Sequence, residues 1–305
     1  MGVDVGRRAR GAFPAAASPA ARRARRGKRL RQGAIHLVLL IFLTLTLYPA
    51  VALIIFSFKT SLQWENSRWT PTFPLRWQNY QIAWDIISHY LINTTIIATA
   101  GTIGATALCS VTAFAFARLR FPGREIFYYA IVFMLIVPSI LSLIPQFVLY
   151  HNLGLVNTRW ALIVSYIVAS PPYGVFLFRL FFQGIPEELF ESARLDGCNV
   201  LDLYWRICLP LSLPIVCTYA IISVQYIWND YVWPTIAVTD DSLQVMTVGL
   251  VKLAHNLTNT VGGDPSAAYG PQFSAYAIGA LPIVVLFIFA SRYFIEGLVS
   301  SGLKL

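Results

Sequence analysis

Long apolar runs dominate the chain. No Asp, Glu, Lys or Arg interrupts Gln32–Phe58, Ile86–Ala117, Ile126–Thr158, Trp160–Phe178, Ile207–Asn229 or Pro265–Ser291. A helix needs about 20 mostly apolar residues to cross roughly 30 Å of hydrocarbon, and each run can hold one. The pattern predicts an all-α polytopic membrane protein with six transmembrane helices. It divides the chain into a tail over 1–33, a first transmembrane helix over 34–58 and an external segment over 59–87. A five-helix core follows over 88–291, with a polar loop at 183–206, and then a short C-terminal tail over 292–305.

Composition agrees. Hydrophobic residues make up 57% of the 305 and charged residues only 12%, with a mean hydropathy of +0.62. Soluble domains are roughly a quarter charged. The net charge of +9 would suit a nucleic-acid partner, but ten of the 23 Lys and Arg fall before residue 33. Short loops rich in Lys and Arg stay on the cytoplasmic side. With a cytoplasmic N-terminus, 18 basic residues lie inside, among them Arg118, Arg120, Arg124, Arg179, Arg194, Arg206, Arg292 and Lys304. Five lie outside: Lys59, Arg68, Arg76, Arg159 and Lys252. Both termini are therefore expected in the cytoplasm, and the chain is expected to meet lipid and no nucleic acid. The Ala-, Arg- and Pro-rich tail is expected to be disordered, uncleaved and in contact with anionic lipid.

Few groups can do chemistry. None of the four lysines closes a G-x-x-x-x-G-K-[ST] loop, so no P-loop is present. His36, His89, His151 and His255 are scattered, and Cys109, Cys198, Cys208 and Cys217 show neither a disulfide frame nor metal-ligand spacing. Among Asp, Glu and Arg, the one candidate for a charge within a span is Asp230, near the outer end of the fifth. Trp64, Trp69, Trp77 and Trp84 cluster in the external segment, where they suit interfacial anchoring or sugar stacking.

The polar loop Gln183–Arg206 reads QGIPEELFESARLDGCNVLDLYWR. Pro186 suits the first position of a helix, and Glu187 and Glu188 favour its N-terminal dipole. Pro186, Leu189, Phe190 and Ala193 form an apolar stripe opposite Glu187, Glu191 and Arg194. Gly197 suits a left-handed stop, and Asn199 with Asp202 a capping box for a second helix. The pattern predicts helix, glycine bend, helix at the membrane surface. Its excess of acid over base favours a protein partner over a purely lipid-bound connector.

Glu191-Ser192-Ala193, Gly197 and, nine residues on, Ile207-Cys208-Leu209-Pro210 resemble the E-A-A-x-x-x-G-x9-I-x-L-P loop of permease subunits in binding-protein-dependent ABC importers. Ser192 replaces the family's Ala. Further segments resemble MalG-type subunits of carbohydrate importers: LRFPGRE at Leu119–Glu125, Pro138 and Pro145, LGLVNT at Leu153–Thr158, IWNDYVWP at Ile227–Pro234, TVGL at Thr247–Leu250 and RYFIEGLVSSGLK at Arg292–Lys304. The likeness spans about residues 35–305.

This resemblance implies a type I ABC importer permease fold and no catalytic residue or cofactor on this chain. ATP and Mg would be used by a separate ATPase dimer. Glu191, Ser192, Ala193, Arg194, Leu195, Asp196 and Gly197 would form the helix that docks on it, with Ile207, Leu209 and Pro210 leading into span five. Other implied partners are a second, MalF-like permease, an extracytoplasmic solute-binding protein received by outer loops such as His255–Gln272, and a carbohydrate-like substrate. The ending Gly297–Leu305 would reach the ATPase or be solvated. Trp228, Asn229, Asp230 and Tyr231 are the candidates for the translocation path, or else a polar helix-end cap. In the related maltose importer most sugar contacts come from the partner permease. Against this stands a self-sufficient secondary transporter or channel and, more distantly, a membrane-embedded enzyme.

Overall fold

The computed structural model describes residues 19–260 and 265–302, with side chains described over 31–253 and 269–290. The side chains of the basic tail up to residue 30, of His255, of Arg292 and of the C-terminal tail lie outside the described set. Two compact units are present, Met1–Ala52 and Leu53–Leu305.

The first unit holds most of helix α1 (Pro19–Ser57). The helix begins inside the segment expected to be disordered, so that expectation fails from Pro19 onward. Ala and Arg, which dominate there, are both strong helix formers. Leu39, Phe42 and Leu45 are each more than half exposed, as suits a helix apolar on every side.

The second unit is helical throughout its described elements. After α2 (Ser61–Asn66) comes the long α3 (Gln78–Arg118). Three broken pairs follow: α4 (Arg124–Phe133) with α5 (Leu143–Asn152), α6 (Arg159–Ala169) with α7 (Pro171–Gln183), and, after α8 (Glu187–Leu195), α9 (Val200–Leu211) with α10 (Leu213–Asn229). Then come α11 (Val232–Ala237), α12 (Met246–Thr260) and α13 (Pro265–Gly302). Among the described residues, three segments are long and apolar enough to cross a membrane singly, Arg31–Ser57, Gln78–Arg118 and Tyr269–Ala290. The total reaches six when each bent pair counts as one span.

Proline sets every bend. The 97° break lies at Pro138, the 44° break immediately before Pro171, and the 77° break at Ser212 between Pro210 and Pro214. A proline removes a backbone donor and crowds the preceding turn. The approach to α10 is interrupted: Leu203–Cys208 forms a π-helical turn, Leu209–Leu211 returns to α-helix, and the axis bends at Ser212 before Leu213–Asn229.

Helix α3 is central and packs on α6, α7, α10 and α13. Its approach to α7 needs a glycine: a Cβ on Gly174 would sit 2.5 Å from Cys109 Sγ. One end of this unit is filled by Phe114, Phe178, Phe182, Phe190 and Tyr204, the other by Ile97, Leu162, Trp228, Trp233 and Val238. The 59–77 segment folds against the end of α1. Asn79 donates to Ser57 O and Lys59 O at 2.9 Å each, and buried Lys59 donates through Nζ to Ser67 O and, at 2.7 Å, to Thr70 O. Trp64 packs 4.9 Å from the rings of Phe56 and Tyr269, and Trp77 packs 4.7 Å from Phe58.

Candidate coupling and translocation sites

The 183–206 loop folds as its caps dictate. Pro186 immediately precedes α8, and Glu187 and Glu188 fill the first turn. Of the predicted apolar stripe, Phe190 and Ala193 are buried against Phe182, Leu203 and Tyr204, whereas Pro186 and Leu189 stay exposed. At the other end Gly197 N donates to Arg194 O at 3.1 Å and Cys198 N to Ala193 O at 3.0 Å. These two bonds make a Schellman stop, which needs a left-handed residue, and Gly197 has φ +86°. Asn199 Oδ1 then accepts from Leu201 N and Asp202 N at 2.9 and 3.0 Å, while Asp202 reaches back to Asn199 N. Ile207 and Leu209 are partly buried against the same cluster, and Pro210 is exposed just before the Ser212 bend.

One residue that sequence reasoning used only for topology locks this loop. Arg118, at the end of α3, is 7% exposed and donates to Glu187 Oε2 at 2.5 Å and to the carbonyls of Phe182 and Ile185. Its guanidinium lies 4.2 Å above the Phe190 ring, and Arg194 closes the other Glu187 oxygen at 3.1 Å. The inner face of α8 is therefore fixed to α3 and α7. Its outer face presents Glu188, Glu191, Ser192 and Asp196 together with Leu195, which is 90% exposed. An aliphatic side chain left that open, beside three carboxylates on one short helix and its stop, is a surface suited to contact.

The quartet at the far end of α10 divides. Trp228 is buried and donates through Nε1 to Gly279 O at 3.3 Å, so it ties α10 to α13. Asn229 is exposed and donates to Gln225 O, and Tyr231 is exposed. Asp230 caps the chain turn by accepting from Val232 N at 3.1 Å, and its other oxygen accepts from Tyr166 Oη at 2.9 Å. That last bond leads into a cavity of about 310 Å³ lined by Tyr166, Ser170, Tyr173, Tyr219, Ser223 and Tyr226, among others. None of these six was singled out from the sequence. The available signal was the Ser170-Pro171-Pro172 break in the Trp160–Phe178 run and the 219, 223, 226 spacing on one helix face.

The residues named at both sites fall within residues 109–299, and this stretch matches the family model described as "Binding-protein-dependent transport system inner membrane component". The chain belongs to this family. As a member it is a membrane-embedded transport permease component. It is similar to the "Probable ABC transporter permease protein YurM" of Bacillus subtilis, 29% identical over 273 residues and 88% of each chain. It is also similar to the "Diacetylchitobiose uptake system permease protein NgcG" of Streptomyces coelicolor, 28% identical over 88% of this chain and 87% of that one. Its fold matches a chain in the crystal structure of a bacterial ABC transporter involved in import of the acidic polysaccharide alginate. The TM-score is 0.79 at 22% identity, over 88% of this chain and 98% of that chain.

Proposed function

We propose that this chain is one permease subunit of an ATP-driven importer of carbohydrate. It spans the bacterial plasma membrane six times, with both termini and the 183–206 loop in the cytoplasm. It forms half of the translocation path with a second permease, receives solute from an extracytoplasmic binding protein, and takes its energy from a separate ATPase dimer that uses ATP and Mg. Residues Glu191 to Gly197 dock on that ATPase, and Ile207, Leu209 and Pro210 carry the movement into α10. The observation that carries this reading is the two-sided character of α8. Phe190 is fully buried and clamped by Arg118, while Leu195 and the acidic groups face outward. A rigid inner face with an open outer face transmits a push from one side to the bundle on the other. Support for the carbohydrate class comes from the NgcG relative.

In proteoliposomes holding the complete importer, Glu191→Lys and Gly197→Pro should abolish ATP-driven uptake while membrane insertion persists. Proline cannot reach φ +86° because its ring fixes φ near −65°. Normal uptake in both variants contradicts the docking assignment. Liposomes containing this chain alone should pass no solute down a gradient; flux there would favour a self-sufficient transporter or channel.

A further inference from the structure

The cavity beside α10 sits where a solute would cross. Ser170, at the α6–α7 break, is the middle residue of the Arg159–Gln183 pair, within a residue. At 1.5 Å of rise per residue it lies roughly 15–20 Å from either end of that pair. Tyr219, Ser223 and Tyr226 share one face in the central and later turns of α10. Backbone is broken inside a membrane only where it is covered by protein or lines a polar cavity.

The walls are aromatic and hydroxylic. Tyr166 and Tyr219 form a buried floor, 6% and 3% exposed, while Tyr173 and Tyr226 stand at the rim, 42% and 62% exposed. The Tyr173 and Tyr219 rings lie 26° from parallel with centroids 6.4 Å apart, and Tyr226 meets Tyr166 edge-on at 6.3 Å. Ser223 Oγ is oriented by a 3.2 Å bond from Thr102, and Ser170 Oγ lies 3.2 Å from Cys109 Sγ. Flat apolar rings with hydroxyls between them match a sugar, which has C–H faces and an equatorial belt of hydroxyls. Among the described residues, Tyr166, Tyr219, Ser170 and Ser223 already bond within the protein, whereas the rim hydroxyls of Tyr173 and Tyr226 do not, and a lipid tail would offer these two no partner. At about 310 Å³ the cavity is at the lower end of the roughly 300–1,000 Å³ range for ligand pockets, so it holds one ring and not an oligomer.

Charge narrows the class further. Among the described residues no Lys or Arg lines the cavity. The charge tied to it is the Asp230 carboxylate, which accepts from Tyr166 at 2.9 Å. An anionic sugar would enter without a counter-ion and next to a like charge, a heavy cost in a low-dielectric site.

We propose that this cavity is a subsite on this chain for one uncharged sugar ring, and that it selects neutral over anionic carbohydrate; the assignment rests on the importer reading above. The complete importer in proteoliposomes is offered radiolabelled maltose, N,N′-diacetylchitobiose and a tri-uronate. Wild type should take up at least one neutral disaccharide and exclude the tri-uronate by tenfold or more. Tyr226→Ala should lower neutral uptake at least tenfold at saturating binding protein, and Tyr226→Phe should stay within about threefold. In a background lacking the native cysteines, Ser223→Cys should be labelled by a water-soluble maleimide and protected several-fold by the transported sugar. This readout does not depend on how well Tyr226→Ala assembles. Uptake within twofold of wild type in both Tyr226→Ala and Ser223→Ala, or Ser223→Cys labelling that sugar leaves unchanged, overturns the subsite while leaving the importer reading intact. Equal uptake of tri-uronate overturns the selectivity. Wild-type complex that takes up none of the three sugars overturns the importer reading and the subsite together.

Discussion

The α8 loop and the α10 cavity are built from opposite materials. The loop is held by ions: Arg118 bridges Glu187 and two backbone carbonyls, and Arg194 closes the same carboxylate. The cavity is held by neutral groups, four tyrosines and two serines, with the Asp230 carboxylate one hydrogen bond behind them. The contrast follows from solvation. Glu187 is about half exposed, so the pair with Arg118 keeps part of its hydration and still gains from the low dielectric on the arginine side. The difference also matches the two tasks, since a docking element must be stiff whereas a solute path must hold its cargo weakly enough to release it.

The largest break in this contrast should come from Arg118→Ala. It removes the charged donor from the Phe182 and Ile185 carbonyls and the cation over Phe190, and charged hydrogen bonds are worth about 1.5–3 kcal/mol each. A destabilisation of about 3 kcal/mol is expected, read as a lower thermal midpoint of the purified protein in detergent. Arg118→Lys should recover only part, because an ammonium cannot reproduce the planar fork. An unchanged midpoint would show that apolar packing alone holds the loop.

A smaller effect is expected at Gly197. Nothing lies within 4 Å of a Cβ added there, so Gly197→Ala tests conformation alone. The left-handed region costs a non-glycine residue about 1–2 kcal/mol, and Asn, which tolerates it, should lose less than Ala. Equal losses for the two would mean that contact and not φ fixes this position.

The smallest effect lies in the turn after α11. Asp241 accepts from Lys252 Nζ at 2.7 Å and from Tyr90 Oη at 2.7 Å. The Lys252 bond is the main reason its carboxyl sits below the ordinary aspartate value. A depressed folded-state pKa contributes stability that is present above the unfolded value and lost as pH falls through the folded one. The pair is largely exposed, so Lys252→Met should remove a fraction of a kcal/mol, and only of the part lost on acidification. Midpoints measured from neutral to strongly acidic pH should show a shallower fall in the variant. An identical fall would mean that the Lys252 bond does not set this carboxyl.

Legibility along the sequence followed range. The glycine stop, the Asn199–Asp202 box and the acidic first turn each depend on residues a few positions apart, and each formed as its spacing dictates. Gly197 was readable because a left-handed stop leaves a chemical signature at one position. Arg118 reaches partners 64, 67 and 69 residues away, and no local pattern encodes that. Its mark was a basic residue ending a long uncharged run, which reads as topology. The cavity needed two facts that hydropathy hides. One is that Ser170-Pro171-Pro172 breaks a run counted as a single span, and the other is that the tyrosine face of α10 meets that break. Trp228 stands beside polar neighbours in sequence, yet its indole N–H is taken up by Gly279 O, 51 residues away. From Pro19 to residue 33 the chain is helical although poor in large apolar residues, because the helix propensity of Ala and Arg does not depend on hydrophobicity.

The central claim is that the outer face of α8 meets an ATPase. Its most direct test places a benzophenone amino acid at Leu195, 90% exposed, in membranes carrying the full importer. Irradiation should give a covalent adduct whose second component is the ATPase subunit by mass. A control label at buried Phe190 should give none. Adducts confined to lipid, or none at Leu195 in a complex that still transports, would contradict the claim.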